Sequence, residues 1–314
     1  GGIATIGYGK SKAAAQNSLD ATVQNASTVA SLNGNTTIKA GNQMTIAASD
    51  VSAGENLTLI AKDIDLEARQ DVVDEHHAQQ SKSSGFSISA TLNAPKAFKD
   101  AYKRTQGESG GTTMGKIMGV ADATMDVLSS NGISIGSQKS SATQNGSTST
   151  ARVSSLNAGN NLTMIATEGS IDSQGTQMSA EGDALILARD NINFDVAHNY
   201  ETQDSNSKSS GWNAGINLGI IPFGMNKGKS TGDGVTDTIT GTQLSVGGNA
   251  TLATTKGDIT LTAANIVANE NVNINAARNL TLQSCQDTAA NENHSDNKAI
   301  GSVRISDTDR FWGY

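Results

Sequence analysis

The chain has a single cysteine, two prolines and very few aromatic rings, and each scarcity removes a class of protein. Cys285 alone cannot form an internal disulfide, so no disulfide framework holds the chain together. That fits a cytosolic protein, and equally one exported unfolded through a pore. Aromatics are 4% and charged residues 17%, with Pro95 and Pro222 the only prolines. A conventional core needs more large side chains, and a disordered tail carries more proline and charge. No run of about 18 apolar residues offers a membrane-spanning helix. The start, "GGIATIGYGK", lacks the charged and apolar regions of a signal peptide, and with the end "RFWGY" it reads as a piece of a longer chain. The formal charge of −8 argues against non-specific nucleic-acid binding, and against anionic lipid headgroups as partners.

What remains is Asn, Ser, Thr, Ala and Gly, punctuated by short aliphatic pairs. A unit of Asn, Asp or Gln followed by aliphatic, polar, aliphatic recurs: Gln43–Ile46, Asn56–Leu59, Asp63–Leu66, Asn161–Met164, Asn191–Phe194, Asn271–Ile274 and Asn279–Leu282. Period-two alternation marks short strands with one buried face. Asn161 to Asp183 and Asn249 to Asn271 are each 22 residues, and Gln43 to Asp63 is 20. At roughly 3.3 Å per residue such a circuit is too long for a hairpin and suits one turn of a three-sided parallel β-helix. Successive aliphatic pairs would stack and Asn side chains would ladder at the corners. An antiparallel sandwich would instead need Asn-Gly or Asp-Gly hairpins every eight to twelve residues or so, a pattern the chain lacks.

A larger unit overlays the coils. "SAGENLTLIAKD" (Ser52–Asp63) matches "SAEGDALILARD" (Ser179–Asp190), and "SSLNAGNNLTMIATEGSI" (Ser154–Ile171) aligns on "TQLSVGGNATLATTKGDI" (Thr242–Ile259). We therefore expect β-helix blocks at 29–70, 153–196 and 242–285. Polar excursions fill 71–152 and 197–241, with the start of a further one at 286–314 and a returning strand of a preceding repeat at 1–28. Each departing strand meets its returning strand as a projecting antiparallel ribbon. Residues 95–130, with Met114, Ile117, Met118, Ala121 and Met125 at helical spacing, are expected to form a short helical insert packed at the ribbon tip.

The run "NLTMIATEGSIDSQGTQMSAEGDALILARDNI" (Asn161–Ile192), followed by "SKSSGW" (Ser207–Trp212), resembles the repeats of filamentous-haemagglutinin-type exoproteins. The resemblance is closest to the C-terminal repeat region of CdiA-type contact-dependent growth inhibition proteins. It covers nearly the whole chain. It implies an all-β, right-handed parallel β-helix exported by two-partner secretion through an outer-membrane transporter and displayed on a Gram-negative cell surface. It also implies that this region engages the target cell's outer membrane during toxin delivery. The chain carries no N-terminal secretion domain, pretoxin marker or recognisable toxin, so no toxicity of its own is expected. An adhesin segment binding a surface glycan or protein is the alternative. A monomer with no cofactor and no nucleic-acid partner is expected in either case.

Sites divide along the same lines. "DEHH" (Asp74–His77) offers metal-ligand types, but adjacent strand residues face opposite ways, so both histidines do not readily serve one ion. Asp63, Asp65, Glu67, Asp183 and Asp190 offer carboxylates for glycoside chemistry, with no aromatic sugar platform beside them; corner residues are the simpler reading. "GYGKS" (Gly7–Ser11) lacks the spacing of a phosphate-binding loop. The ribbons offer more. Phe86, Ile88 and Leu92, and Trp212, Ile216 and Leu218, stand at period two among Ser, Asn and Gly, as in membrane β-strands. These six are the candidate surface or membrane contacts, unless they pack on the flank of the helix.

Overall fold

The computed structural model describes residues 3–91, 132–216, 220–221, 223–301 and 303–304. The helical insert expected at 95–130, Leu92 and Leu218 lie outside them. Among the described residues every regular element is a strand.

β1 (Ile3–Thr22) enters as a long strand. Two coils follow: β2 (Thr28–Ser31), β3 (Thr36–Lys39) and β4 (Gln43–Ala47), then β5 (Asp50–Ala53), β6 (Leu57–Ala61) and β7 (Asp63–Glu67). The chain leaves along β8 (Arg69–Thr91) and returns along β9 (Gly132–Arg152). Coils three and four are β10 (Ser155–Ala158), β11 (Leu162–Ala166), β12 (Ile171–Gln174), β13 (Gln177–Ala180), β14 (Ala184–Ala188) and β15 (Ile192–Asp195). A second excursion holds β16 (Ala197–Ile216), β17 (Ile220–Ile221) and β18 (Phe223–Thr240). Coils five and six are β19 (Gln243–Val246), β20 (Ala250–Thr254), β21 (Ile259–Thr262), β22 (Asn265–Ala268), β23 (Val272–Asn275) and β24 (Leu280–Gln283). β25 (Thr288–Ile300) and β26 (Val303–Arg304) end the described chain.

Strands of equivalent position pair in parallel to make three six-stranded walls, the expected parallel β-helix. Inward columns run along the stack: Leu59, Met164, Ile186 and Leu252 on one wall, and Ile64, Ile171, Ile192 and Ile259 on another, all fully buried. Fully burying such a side chain is worth about 1.5–3 kcal/mol. Each coil touches only its neighbours. Several inward positions of the end coils are therefore left exposed, as at Val29 in the first and Leu280 and Leu282 in the sixth, although Met44 and Ile46 of the first coil stay buried.

The expected Asn ladders run through the corners. Asn35 Oδ1 accepts the Asn56 N–H at 3.0 Å, Asn56 Oδ1 that of Asn161 at 3.2 Å, and Asn161 Oδ1 that of Asp183 at 2.8 Å. Asp183 then accepts from Asn249 at 2.7 Å, and Asn249 from Asn271 at 3.3 Å. A second ladder passes through Asp63, Ser170, Asn191, Asp258 and Asn279. Along both ladders each rung thus caps the corner N–H of the next, which the wall hydrogen bonds leave over.

The third corner alternates in kind. Between coils one and two, three and four, and five and six it is a tight turn through one residue of positive φ: Ala48 (46°), Gly175 (66°) and Ala263 (45°). At the intervening boundaries the same corner opens into a long excursion. The excursions do not stand as separate two-stranded ribbons. They join edge to edge into one antiparallel sheet in the order β1-β8-β9-β16-β18-β25. The reason is periodicity: every two coils add two strands, one out and one back. Coil rise and strand spacing are both about 4.8 Å, so the outgoing strand of one excursion meets the returning strand of the last.

Candidate functional site

Strands of about 20 residues carry the long sheet roughly 65 Å from root to outer end. Its strands neighbour one another and do not run along the coils. Ties to the stack lie at the root, where Arg152 Nε of β9 donates to the Ala48 carbonyl (3.4 Å) and its guanidinium meets the Asp50 carboxylate of β5 at 3.7 Å. The flank of the helix does not cover the outer end.

Directly opposed residues of an antiparallel sheet share a face. Register therefore sorts the side chains into rows. Near the outer end one row reads Tyr8, Phe86, Ile135, Ala214 and Phe223. The Tyr8 and Phe86 rings lie 6.3 Å apart and tilted. The next row rootward holds Lys10, Ser84, Ser137, Trp212, Met225 and Ile300. Tyr8, Met225 and Ile300 are largely exposed, while Phe86 and Trp212 are half-buried by their row neighbours. Ile88 and Ile216 occupy the row beyond, opposite Ile6 and Ile133. Phe86 and Trp212 thus stand on one face, although two different excursions supply them.

The opposite face carries Gly7, Gly85, Ser134, Gly136 and Asn213. A Cβ on Gly85 would come within 2.8 Å of the Tyr8 carbonyl oxygen, which accounts for glycine there. The two "SKSSG-aromatic" strings are therefore face codes: Lys82, Ser84 and Phe86 point one way, and Ser81, Ser83 and Gly85 the other.

A row that composition hid lies two residues rootward of Trp212: Lys12, Lys82, Lys139, Ser210, Lys227 and Lys298, one from each strand. All five lysines are exposed. Further in, the same face turns acidic at Asp74, Asp204, Asp233 and Glu292. A net charge of −8 conceals this segregation. The signal was findable, because each excursion strand places a lysine a few residues short of its apolar run.

The remaining candidates do not converge. His76 pairs with Asn145 of β9, and His77 with Asn17 of β1 at 3.0 Å, on opposite faces. His198 Nδ1 lies 3.0 and 3.1 Å from the two Asp237 carboxylate oxygens, and its ring stacks on Tyr200. Among the described residues no three His, Cys, Asp or Glu side chains gather in a metal-binding group. Gly7–Ser11 is extended strand within β1, with no loop to cradle phosphate.

Of the carboxylates, Asp63 and Asp183 are ladder rungs, and Asp190 forms an ion pair with Arg189 at 3.0 Å. The Asn249 N–H holds the Asp183 carboxyl below the usual carboxylate range. The Arg278 guanidinium, then the Asn279 N–H, do the same for Asp258. Asp172 goes the other way. Burial pushes its carboxyl up, against the Asn193 amide, and the neighbouring charges of Asp65 and Asp63 add to the rise. Asp65 and Asp172 are directly opposed on the outside of a flat wall.

The family described as Hemagglutinin repeat matches residues 6–117 and 135–301 of the chain. The chain is 30% identical over 303 residues to "Toxin CdiA" of Yersinia pestis, covering 89% of this chain and 9% of that protein. It is 30% identical over 310 residues to "Deoxyribonuclease CdiA" of Yersinia pseudotuberculosis serotype O:3, covering 89% and 28%. Similarity to "tRNA nuclease CdiA" of Escherichia coli O6:K15:H31 is 27% over 337 residues, covering 96% and 10%. The chain therefore spans a small part of the length of the curated relatives it matches. No solved structure matches it.

Proposed function

The chain belongs to the hemagglutinin-repeat family, and on that premise we propose that it is a structural and delivery segment of a contact-dependent growth inhibition exoprotein, whose long sheet engages the outer membrane of a target cell. The repeat region is structural, and the similarity to CdiA proteins supports a secreted exoprotein on the surface of a Gram-negative bacterium. Export runs through an outer-membrane transporter of the two-partner type. The nuclease activities in the relatives' names belong, in this reading, to parts of those proteins beyond the stretch this chain resembles, and this segment performs no chemistry.

The observation that carries the reading is the outer end of the long sheet. Excursions far apart in sequence place Tyr8, Phe86, Ile135, Trp212, Phe223 and Met225 on one face, about 50 Å from the coils. An exposed aromatic and aliphatic face at the end of a polar arm marks an interaction surface. Aromatic rings bordering an apolar zone are what a membrane interface selects.

Liposome flotation tests it. The intact chain is expected to float with vesicles, and a Phe86→Ser/Trp212→Ser variant to remain mostly in the unbound fraction. Equal recovery of both proteins in the unbound fraction ends the idea.

A further inference from the structure

We propose that the lysine row of the long sheet is a docking strip for the phosphates of lipid headgroups, laying the outer end of the sheet along the membrane interface by its aromatic face. This rests on the membrane reading above and deepens it by naming the chemical partner.

Five lysines from five strands stand in one cross-sheet row: Lys12, Lys82, Lys139, Lys227 and Lys298. Lys10, Lys208 and Lys229 lie on the same face in the rows on either side. Of these eight lysines only Lys298 makes a salt bridge among the described residues, a 3.9 Å contact with Asp296. Lys12, Lys82 and Lys139 are directly opposed, an arrangement that destabilises a sheet through like-charge repulsion. Lysine also guards sheet edges against aggregation, but β8, β9 and β18 are interior strands. The row persists against stability where edge protection has no purpose, so it answers to an external counter-charge.

The order of chemistry along the strands identifies that counter-charge. From the root outward the face reads acidic, then lysine, then aromatic. Outward of the lysine row no described residue is Asp or Glu. A soluble polyanion would match the lysines and leave the adjoining apolar rows without purpose. A bilayer surface matches both, with phosphates over the lysines and the interface over the rings some 7–14 Å further on.

Geometry also sets the mode of contact. The opposite face of this end carries Gly7, Gly85, Ser134, Gly136 and Asn213, a polar and small-residue surface that hydrocarbon does not favour. The sheet therefore lies on the interface, with its Gly, Ser and Asn face toward water.

The test uses the intact chain with vesicles of phosphatidylcholine alone, and with phosphatidylglycerol added. Binding is expected to be far tighter to the second. The Lys12→Gln/Lys82→Gln/Lys139→Gln/Lys227→Gln variant should lose nearly three orders of magnitude in affinity, at roughly fivefold per lysine. A matching set of arginine substitutions should retain binding, and Lys39→Gln/Lys62→Gln/Lys256→Gln on the coils should change little. Circular dichroism checks that each variant is folded. Equal binding to both vesicles, or an unaffected glutamine variant, overturns the lysine assignment while the membrane reading stands. Release by millimolar inorganic phosphate at constant ionic strength marks a free-anion site and overturns the lipid assignment. Absence of binding to either vesicle overturns both readings.

Discussion

Ser173 and Phe194 occupy successive rungs of one inward column, between Leu66 and Leu261. Both are buried to within 1% of complete. A serine rung leaves space, and the phenylalanine beside it at about 4.8 Å fills that space. Phe194→Leu alone should open a void and cost about 1–1.5 kcal/mol. Ser173→Leu alone should overpack the column against the ring and cost about 1–3 kcal/mol. It also removes the 2.9 Å hydrogen bond to Thr242, whose hydroxyl keeps the Asp195 carbonyl at 3.2 Å. Together the substitutions make a uniform leucine column, so the double variant should recover most of both losses. The expected coupling is about 2 kcal/mol. Guanidinium unfolding followed by far-ultraviolet circular dichroism, extrapolated linearly to water, measures all four corners of the cycle. Losses that add within about 0.5 kcal/mol would refute the shared-volume reasoning.

Other expectations follow from the corners and the outer walls. Gly175→Ala should destabilise by about 2 kcal/mol or more, since its φ is +66° and a Cβ would meet the Thr240 carbonyl oxygen at 2.7 Å. A thermal midpoint equal to that of the parent chain would show that the turn has other room. Asp172→Asn should stabilise at pH 7 by about 0.5–1 kcal/mol, by removing a half-buried carboxylate that is also directly opposed to Asp65. Because the folded carboxyl is raised, the parent's deficit is absent below the unfolded pKa of about 3.8 and develops as pH rises through the folded value. The gain should therefore vanish at about pH 3, and an equal gain at both pH values would contradict this cause. Asp183 has the opposite sign. Its lowered carboxyl supports the ladder above the unfolded pKa and loses that support as pH falls through the folded one. Asp183→Asn should accordingly flatten the acid limb of a stability-pH profile.

Much of the stack was legible in the chain because a coil is a local object. The ladder residue, the aliphatic pair and the circuit length all lie within about 22 residues, so Asn161 and Asp183 can be matched by eye before their 2.8 Å hydrogen bond is seen. The long sheet was legible only strand by strand. Period two placed Phe86 and Ile88 on one face, but nothing local says that β9 pairs with β16 as well as β8. That follows from counting two coils per excursion. The lysine row was hidden for the same reason, and summed charge masked it, because acids at the root and lysines further out cancel in the total. Lys298 shows the limit of motifs most clearly. Its strand lacks the "SKSSG" string, yet register puts it in the row beside Lys227.

The most direct test of a membrane-facing outer end is the fluorescence of Trp212 in a Trp312→Phe background, which leaves it the one tryptophan of the chain. The protein is titrated with vesicles containing phosphatidylglycerol. A face that rests on the interface predicts a blue shift of the emission and quenching by lipids carrying a quencher near the headgroup. An emission maximum that stays fixed and is unquenched at saturating lipid, while Tyr200→Trp/Trp212→Phe in the same background reports identical behaviour from the root, would contradict it.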